Sequence, residues 1–134
     1  MKFPSALVPL FLAASAFSFA SEVAKIAPAD AAQLVADGKA ILIDVREPDE
    51  WAETGVAQPA LLLPMSDFNG PQKLWKPFLE KNAGREVILY CRSGHRAGLV
   101  GAKLAEKGIH VLNAGGFKDW AAAGLPVSKP AKKK

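Results

Sequence analysis

Residues 87–97 read VILYCRSGHRA, and this stretch indicates the fold class. It begins with four apolar residues that do not alternate with polar ones, which is typical of a strand buried on both faces of a parallel sheet. From Arg96 to Lys107 apolar and charged residues fall on opposite faces of a helix, and Gly108 can end that helix. We therefore predict a strand that leads through a short loop into a helix, the unit from which parallel α/β sheets are built.

Further apolar runs predict the neighbouring strands. Three have four residues each, and a weaker fourth lies near the start of the body; they are 40–43, 60–63, 109–112 and 23–26. Because helical segments separate these runs, the connections are those of right-handed βαβ units. The sequence thus predicts an α/β fold with an open parallel sheet.

Prolines and glycines place the helices between these strands. A helix is predicted to begin at Pro28 and to end at Gly38, and a short one to begin at Pro48. Another follows Pro71, and Pro77 is expected to kink or restart it. No internal repeat appears and no linker divides the body, so we expect one domain.

Most of the net charge lies at the two ends of the chain. The 134 residues include 17 basic and 13 acidic ones, and five of the basic residues are Lys2 and the four lysines of residues 129–134. The body, residues 21–128, therefore has 12 basic against 13 acidic residues and is near neutral. Basic and aromatic residues are not interleaved in it, which argues against nucleic-acid binding. We expect residues 129–134 to form a solvated, disordered tail.

The first 20 residues have the pattern of a secretory signal peptide. Lys2 provides a positive start, an apolar run without charge follows, and small residues precede the expected cleavage site after Ala20. The apolar run covers residues 5–20, which is shorter than the roughly 20 residues that a membrane-spanning helix needs. We therefore expect an exported, periplasmic protein without integral membrane association, whose domain covers residues 21–128.

Cys91 is the single cysteine of the chain, and it lies where the predicted strand ends. Ligands of open α/β sheets bind at the carboxyl ends of the strands. The loop after it contains Gly94, whose conformational freedom allows backbone N–H groups to turn inward and hold an anion. The following helix adds partial positive charge at its amino end, and Arg92 and Arg96 add full charges.

These features favour the thiolate form of Cys91, which is the nucleophilic form. The substrate implied is an anion that carries a soft electrophilic atom. A lone cysteine also excludes an intrachain disulfide and a zinc site built on cysteine pairs. His95 could assist proton transfer but is interpreted as a solvent-facing loop residue, and His110, in the predicted strand 109–112, as a packing or surface residue.

Three motifs resemble those of one protein family. Residues 91–96 (CRSGHR) resemble the active-site loop of rhodanese-family sulfurtransferases. Residues 44–51 (DVREPDEW) resemble the first signature of that family, and residues 113–127, from NAGGFKDW to GLPV, resemble its closing signature. With an export signal and a single domain, the chain is most similar to the small periplasmic rhodaneses of the phage-shock type.

The resemblance implies a fold and a reaction. The fold would be an open parallel sheet of about five strands with helices on both faces. Cys91 would take the outer sulfur of thiosulfate or a similar small anionic donor as a persulfide, and a thiol or cyanide would accept it. The donor would be bound by the loop residues Arg92, Ser93, Gly94, His95 and Arg96. No metal or organic cofactor is implied, and we expect a monomer.

Other positions of the motifs carry expectations of their own. Asp44 and Arg46 match family positions that are more structural than chemical, so we expect an ion pair that supports the loop, with a substrate contact as the alternative. Residues 55–60 read GVAQPA where the family commonly has GHIPGA. Ala97 replaces the usual serine or threonine, which removes a hydroxyl that could bond to the sulfur.

Three other kinds of function remain open from the residues. Cysteine phosphatases and arsenate reductases have a similar loop with five residues between cysteine and arginine, whereas residues 92–95 alone separate Cys91 from Arg96. The shorter loop encloses a smaller pocket, which suits a sulfur atom better than a phosphate. A sulfur carrier or redox sensor would need the same thiol. Some rhodanese-like domains bind partners without turnover, but those usually lack the cysteine.

Overall fold

The computed structural model describes residues 23–130. The predicted leader and residues 131–134 of the predicted tail lie outside the described residues. The strands are β1 (Ala24–Lys25), β2 (Ala40–Asp44), β3 (Val56–Ala57), β4 (Leu61–Leu62), β5 (Glu86–Cys91), β6 (Val111–Gly116) and β7 (Val127–Ser128). The helices are α1 (Pro28–Ala36), α2 (Pro48–Thr54), α3 (Met65–Phe68), α4 (Trp75–Lys81), α5 (His95–Glu106) and α6 (Phe117–Ala122).

Five strands form one parallel sheet in the order β1-β6-β5-β2-β4. The central strand β5 pairs with β2 and β6 through Leu89, which lies opposite Ile43 on one side and Asn113 on the other. The predicted open, parallel α/β sheet is confirmed. Because all five strands are parallel, their carboxyl ends lie along one edge, and β5 brings Cys91 to the middle of that edge.

The strands direct alternate side chains into two apolar cores, one on each face of the sheet. On β5, Val87 belongs to the core that contains Trp75 of α4 and Leu104 of α5. The next residue, Ile88, belongs to the core that contains Trp120 of α6. Complete burial of a side chain such as Val87 or Ile88 contributes roughly 1.5–3 kcal/mol, so packing against both helical layers stabilises the sheet. Helices on both faces are therefore confirmed as well.

The last long strand begins later than predicted. The apolar run 109–112 predicted a strand that contains His110, but β6 extends over Val111–Gly116 and ends in the closing motif. His110 precedes the strand, its side chain is exposed, and its imidazole contacts the carboxylate of Glu86. Its backbone carbonyl accepts a hydrogen bond from the N–H of Val87 in β5, at 2.9 Å. His110 is thus a surface residue.

The start of α4 is set by an aspartate. The sequence predicted a helix soon after Pro71, but α4 begins at Trp75. The carboxylate of Asp67 accepts the N–H groups of Lys73, Leu74 and Trp75 at 2.8–2.9 Å, which satisfies the donors at the start of the helix. Pro77 is the third residue of α4, where an N–H has no acceptor within the helix, so the helix does not restart there.

A second, two-stranded sheet closes the fold beside the site. Antiparallel pairing of β3 with β7 places Val56 opposite Ser128 and Ala57 opposite Val127. Gly55, just before β3, has φ +85°, and a Cβ built there would lie 3.0 Å from the Ser128 carbonyl oxygen. The sequence did not predict this sheet, because neither β3 nor β7 lies in one of the apolar runs that predicted the other strands.

Candidate active site

Cys91 lies beneath the loop that follows β5, and the residue is only 1% exposed. Its Sγ accepts the backbone N–H of Gly94 at 3.0 Å and that of Ala97 at 3.4 Å. Both donors belong to the amino end of α5, which has 12 residues. Two N–H groups directed at the sulfur from a helix amino end stabilise negative charge on it. The loop therefore turns backbone donors inward, as its sequence predicted.

Gly94 makes this turn sharp. Its φ is +99°, a left-handed conformation that favours glycine, and it is the residue immediately before α5. A Cβ at this position would lie 3.3 Å from the Cα of Gly115, so the loop also approaches β6 closely. This turn starts the helix at His95, one residue earlier than the pattern predicted.

Asn113 of β6 connects the loop to the sheet. Its Nδ2 donates to the carbonyl oxygen of Gly94 at 2.9 Å, and its Oδ1 accepts the N–H of Gly115 at 2.8 Å. The residue is only 9% exposed. The N–H of the same Gly94 is the nearer of the two donors to Cys91 Sγ. Asn113 therefore holds, through its carbonyl, the residue whose N–H lies closest to the sulfur.

Gly116, at the end of β6, touches the backbone of the loop. A Cβ at this position would lie 2.3 Å from the carbonyl oxygen of Arg92 and 3.3 Å from the Cα of Ser93. Real side chains do not approach a carbonyl oxygen this closely, so only glycine lets the loop lie where it does. The reason is close approach and not backbone strain, because the φ of Gly116 is −106°.

Arg96 is held by a carboxylate of α2. Its guanidinium donates to both oxygens of Glu50, at 2.7 and 2.8 Å, and both side chains are mostly buried. The hydrogen bond from Arg96 is the main cause that lowers the pKa of Glu50 to about 2, against the opposing effect of burial. The same bond is the main cause that raises the pKa of Arg96, and the nearby Cys91 raises that pKa further.

This pair corrects the expected electrostatics. The sequence predicted that Arg96 adds a full positive charge beside the sulfur. In the structure Glu50 compensates that charge and occupies the donor fork of the guanidinium. Glu50 is itself fixed, because it accepts the N–H of Glu47 at 3.0 Å in the capping box of α2. Direct contact of Arg96 with a substrate stays a prediction.

Asp44 and Arg46 form a completely buried ion pair, 2.8 Å apart, below the site. Arg46 also donates to the Thr54 hydroxyl and to the Gly55 carbonyl, both at 2.9 Å, so it ties β2 to the end of α2. The hydroxyl of Tyr90 donates to Asp44, and burial is the main cause that raises the pKa of Tyr90 far above its usual value. The expected pair is present, and it supports the surroundings of the loop and not the sulfur directly.

Two clefts flank the cysteine loop. The first, called here the α2–α6 cleft, has a volume of about 530 Å³ and lies between the ends of α2 and α6, with Arg92 and Ser93 on its wall. The second, called here the β1 cleft, has about 500 Å³ and is lined by Lys25, Ser93 and His95 among others. Arg92, Ser93 and His95 are exposed, which fits the interpretation of His95 as a solvent-facing residue. Their contact with a donor stays a prediction.

Sequence reasoning did not assign three residues that shape the site: Glu50, Asn113 and Gly116. All three lie inside the quoted motifs, but motif matching alone does not show what they touch. Glu47 and Glu50 are three residues apart at the start of a helix that Pro48 predicts, which is the spacing of a capping box. This spacing could have indicated that the Glu50 side chain is held by the backbone N–H of Glu47. Ala97 has no side-chain hydroxyl, but it contributes its backbone N–H to the sulfur.

Two searches of the described residues gave negative results. Within residues 23–130, no three histidine, cysteine, aspartate or glutamate side chains are grouped so that they could hold a metal ion. Within the same range, no helix has the length and apolar character needed to cross a membrane.

Proteins of known sequence or structure resemble this chain over most of its length. A sulfurtransferase of Allochromatium vinosum is 39% identical over 92 residues, 67% of this chain and 79% of that protein. An uncharacterised protein of Synechocystis sp. is 35% identical over 106 residues, 78% of this chain but only 55% of that protein. The solved structure of the polysulfide-sulfur transferase homodimer of Wolinella succinogenes matches with a TM-score of 0.65 and 27% identity, covering 82% of this chain and 81% of that one.

A model of one protein family covers four of the five parallel strands together with the site. The model of the rhodanese-like domain matches residues 27–123, which include β2, the cysteine loop and all of β6. The predicted resemblance is therefore confirmed at the level of the family. This chain belongs to the family of rhodanese-like domains.

Proposed function

We propose that this protein is a thiosulfate-type sulfurtransferase in which Cys91 carries the transferred sulfur as a persulfide. The observation that carries the proposal is the pair of N–H bonds, from Gly94 and Ala97, to Cys91 Sγ. Such donors stabilise the thiolate before attack, and they stabilise it again when it is the leaving group. The names of the relatives support sulfur transfer as the reaction class.

The first half-reaction loads the cysteine. The thiolate of Cys91 attacks the outer sulfur of thiosulfate, a new S–S bond forms, and the S–S bond of thiosulfate breaks. The electron pair of that bond leaves with sulfite, so no oxidant or reductant is needed. Positive charge at the loop lowers the energy of the approaching dianion. Arg92, which is exposed on the loop, forms no ion pair with a carboxylate among residues 23–130.

The second half-reaction transfers the sulfur from Cys91 to an acceptor. A thiolate or cyanide attacks the outer sulfur of the persulfide, and the bond to Cys91 Sγ breaks with its electron pair returning to Cys91. The products are a persulfide of the acceptor, or thiocyanate, and the starting enzyme. The acceptor must come from another molecule, since the chain has no second cysteine.

The alternative phosphatase chemistry fits the site less well. Phosphate recognition by arginine uses the planar donor fork of the guanidinium. In Arg96 that fork is occupied by Glu50 at 2.7 and 2.8 Å. The four-residue loop also leaves less room than a phosphate-binding loop one residue longer.

We further propose that the protein acts in the periplasm, after export and cleavage near Ala20, as in the phage-shock type of rhodanese. The apolar run of residues 5–20 and the small residues before Ser21 support this proposal. Cell fractionation followed by N-terminal sequencing tests it. Recovery of an intact amino terminus in the cytoplasmic fraction would contradict it.

Steady-state turnover tests the proposed reaction. The purified domain should form thiocyanate from thiosulfate and cyanide, and Cys91→Ser should abolish this activity. A chromogenic phosphate ester serves as the comparison substrate. Turnover of the ester that depends on Cys91, without thiocyanate formation, would favour the phosphatase. Loading of Cys91 by thiosulfate without turnover would identify a sulfur carrier.

A further inference from the structure

We propose that Glu50 is a specificity-determining residue, whose carboxylate lowers the reactivity of Cys91 toward a dianionic sulfur donor relative to a monoanionic one. The donor class that the site then accepts beside thiosulfate is the organic thiosulfonates, which carry one negative charge instead of two. This inference rests on the proposed function and deepens it, because it names the charge of the donors that load Cys91.

Arg96 brings a positive charge close to the sulfur. It is the residue directly before Ala97, whose backbone N–H lies 3.4 Å from Cys91 Sγ. The charges of the two side chains also interact. After the hydrogen bond to Glu50, which is the main cause, the attraction of Cys91 raises the pKa of Arg96 further. An anion that approaches the sulfur is therefore within the field of this guanidinium.

Glu50 sets an opposite charge against that guanidinium. Its two oxygens accept the N–H groups of Arg96 at 2.7 and 2.8 Å, in the bidentate geometry that fixes a carboxylate most firmly. The side chain of Arg96 is 23% exposed and that of Glu50 is 17% exposed, so water and salt screen the pair only in part. An ion that approaches the sulfur therefore meets a nearly neutral pair instead of a free cation.

The carboxylate of Glu50 is fixed both in position and in charge. One of its oxygens also accepts the N–H of Glu47 at 3.0 Å. The hydrogen bond from Arg96 is the main cause that lowers the pKa of Glu50 to about 2, so Glu50 is ionised at neutral pH. A second carboxylate, that of Glu47, also acts on Arg96, and it accepts the neutral hydroxyl of Ser66 at 2.6 Å. One guanidinium is thus set against two carboxylates, which disfavours a second negative charge on the donor.

Other charged groups near the site do not replace the charge that Glu50 compensates. Arg92 and His95 are exposed, so water and salt screen their fields. The buried guanidinium of Arg46 is paired with Asp44 at 2.8 Å. Removing the charge of Glu50 would therefore give the sulfur a mostly buried cation that is no longer compensated in this way.

Two donors of nearly equal shape measure the effect. Methanethiosulfonate has a methyl group where thiosulfate has one of its charged oxygens, so the two differ by one negative charge. With either donor the Cys91 thiolate attacks the outer sulfur and a new S–S bond forms. The S–S bond of the donor breaks, and its electron pair leaves with sulfite or methanesulfinate. Loading is followed by intact mass as the gain of one sulfur atom, and the rate constants are compared as the ratio of dianion to monoanion.

Charge substitutions test the inference through this ratio. Glu50→Gln should raise it about 2- to 5-fold, the size expected for one charge that acts over several ångströms near a protein surface. Arg96→Gln leaves Glu50 without its cation and should lower the ratio. Glu53→Gln removes an exposed carboxylate from the same helix and should change the ratio less than Glu50→Gln does.

The ratio also distinguishes a charge effect from a structural one. Both donors are measured on the same protein, so a smaller folded fraction of a variant cancels. If Glu50 only held Arg96 in place, Glu50→Gln would slow both donors equally. An unchanged ratio in Glu50→Gln, or an equal rise in Glu53→Gln, would overturn the inference.

A pair of alkylating reagents separates this inference from the proposed function. Iodoacetate and iodoacetamide differ by one negative charge, and with either the thiolate displaces iodide and forms an S–C bond. Cys91 is the single cysteine, so the gain in mass reports its modification. A higher ratio of iodoacetate to iodoacetamide in Glu50→Gln would support the role of Glu50 even if neither sulfur donor loads Cys91, which would contradict the proposed function alone. Loading by both donors with both ratios unchanged would contradict the role of Glu50 alone.

Discussion

Glu50 binds Arg96 through two hydrogen bonds of 2.7 and 2.8 Å, and this pair joins α2 to the first turn of α5 beside Cys91. The two residues are 46 positions apart in the chain. One lies in the motif of residues 44–51 and the other in the cysteine loop, so the pair joins these two motifs in space. It also sets the charge near the sulfur, because Glu50 compensates the guanidinium.

Removing the carboxylate of this pair should destabilise the domain. Glu50→Gln leaves Arg96, a mostly buried cation, with a neutral partner. We expect a loss of about 1.5–3 kcal/mol in the free energy of unfolding, the range for hydrogen bonds to charged groups. Urea unfolding measures it. Glu53→Gln is the matched control on the same helix, with an exposed side chain outside any ion pair of residues 23–130, and an equal loss there would contradict the assignment.

The same pair predicts a pH dependence of stability. The pKa of Glu50 is about 2 in the folded protein against 4.5 ordinarily, so the unfolded chain takes up the proton first as the pH falls. The stabilisation is therefore complete above pH 4.5 and is lost as the pH falls toward 2. The difference in unfolding free energy between the unmodified protein and Glu50→Gln should shrink across this window. Parallel pH curves for the two proteins would contradict it.

Asn113 is predicted to be a positioning residue for the cysteine loop. Asn113→Asp keeps the shape and the acceptor for Gly115 N–H but replaces the donor to the Gly94 carbonyl with an oxygen. We expect kcat/KM for thiosulfate to fall up to about tenfold, the equivalent of one hydrogen bond of ~1.4 kcal/mol.

A merely structural role would lower the unfolding midpoint without changing the kinetics of the folded protein. Rates are therefore measured well below the melting transition of the variant. Unchanged kcat/KM under those conditions would contradict the positioning role of Asn113.

Gly116 should not tolerate even one methyl group. Gly116→Ala places a Cβ 2.3 Å from the Arg92 carbonyl oxygen, so the loop must move away from β6. We expect both stability and thiocyanate formation to fall. Gly98→Ala is the control: its Cβ would meet only an ordinary contact at 3.7 Å, and alanine inside a helix should stabilise the fold by about 0.5–1 kcal/mol. Equal behaviour of the two variants would contradict this account.

The elements that the sequence predicted best are those with local causes. The apolar run of β5, Gly94 and the amphipathic face of α5 are close together in the chain, and each specifies its own conformation. Together they predict Cys91 at the carboxyl end of a buried strand, where β5 ends. The family motifs added the architecture around this unit, which the structure confirms.

Features with distant causes could not be predicted in the same way. The contact of Gly116 with Arg92 and the pair of Glu50 with Arg96 arise only when separate strands and helices pack. The same applies to the sheet of β3 and β7, whose strands lie outside the apolar runs that predicted the other strands. The sequence therefore predicts Cys91 as the nucleophile, but it did not show that Glu50 compensates the charge of Arg96.

Intact-mass measurement of the thiosulfate-treated protein tests the central claim most directly. We predict that the domain gains the mass of one sulfur atom, that a reductant or cyanide removes it, and that Cys91→Ser gains nothing. Thiosulfate treatment that leaves the mass of the folded, unmodified protein unchanged would contradict the claim that Cys91 forms a persulfide.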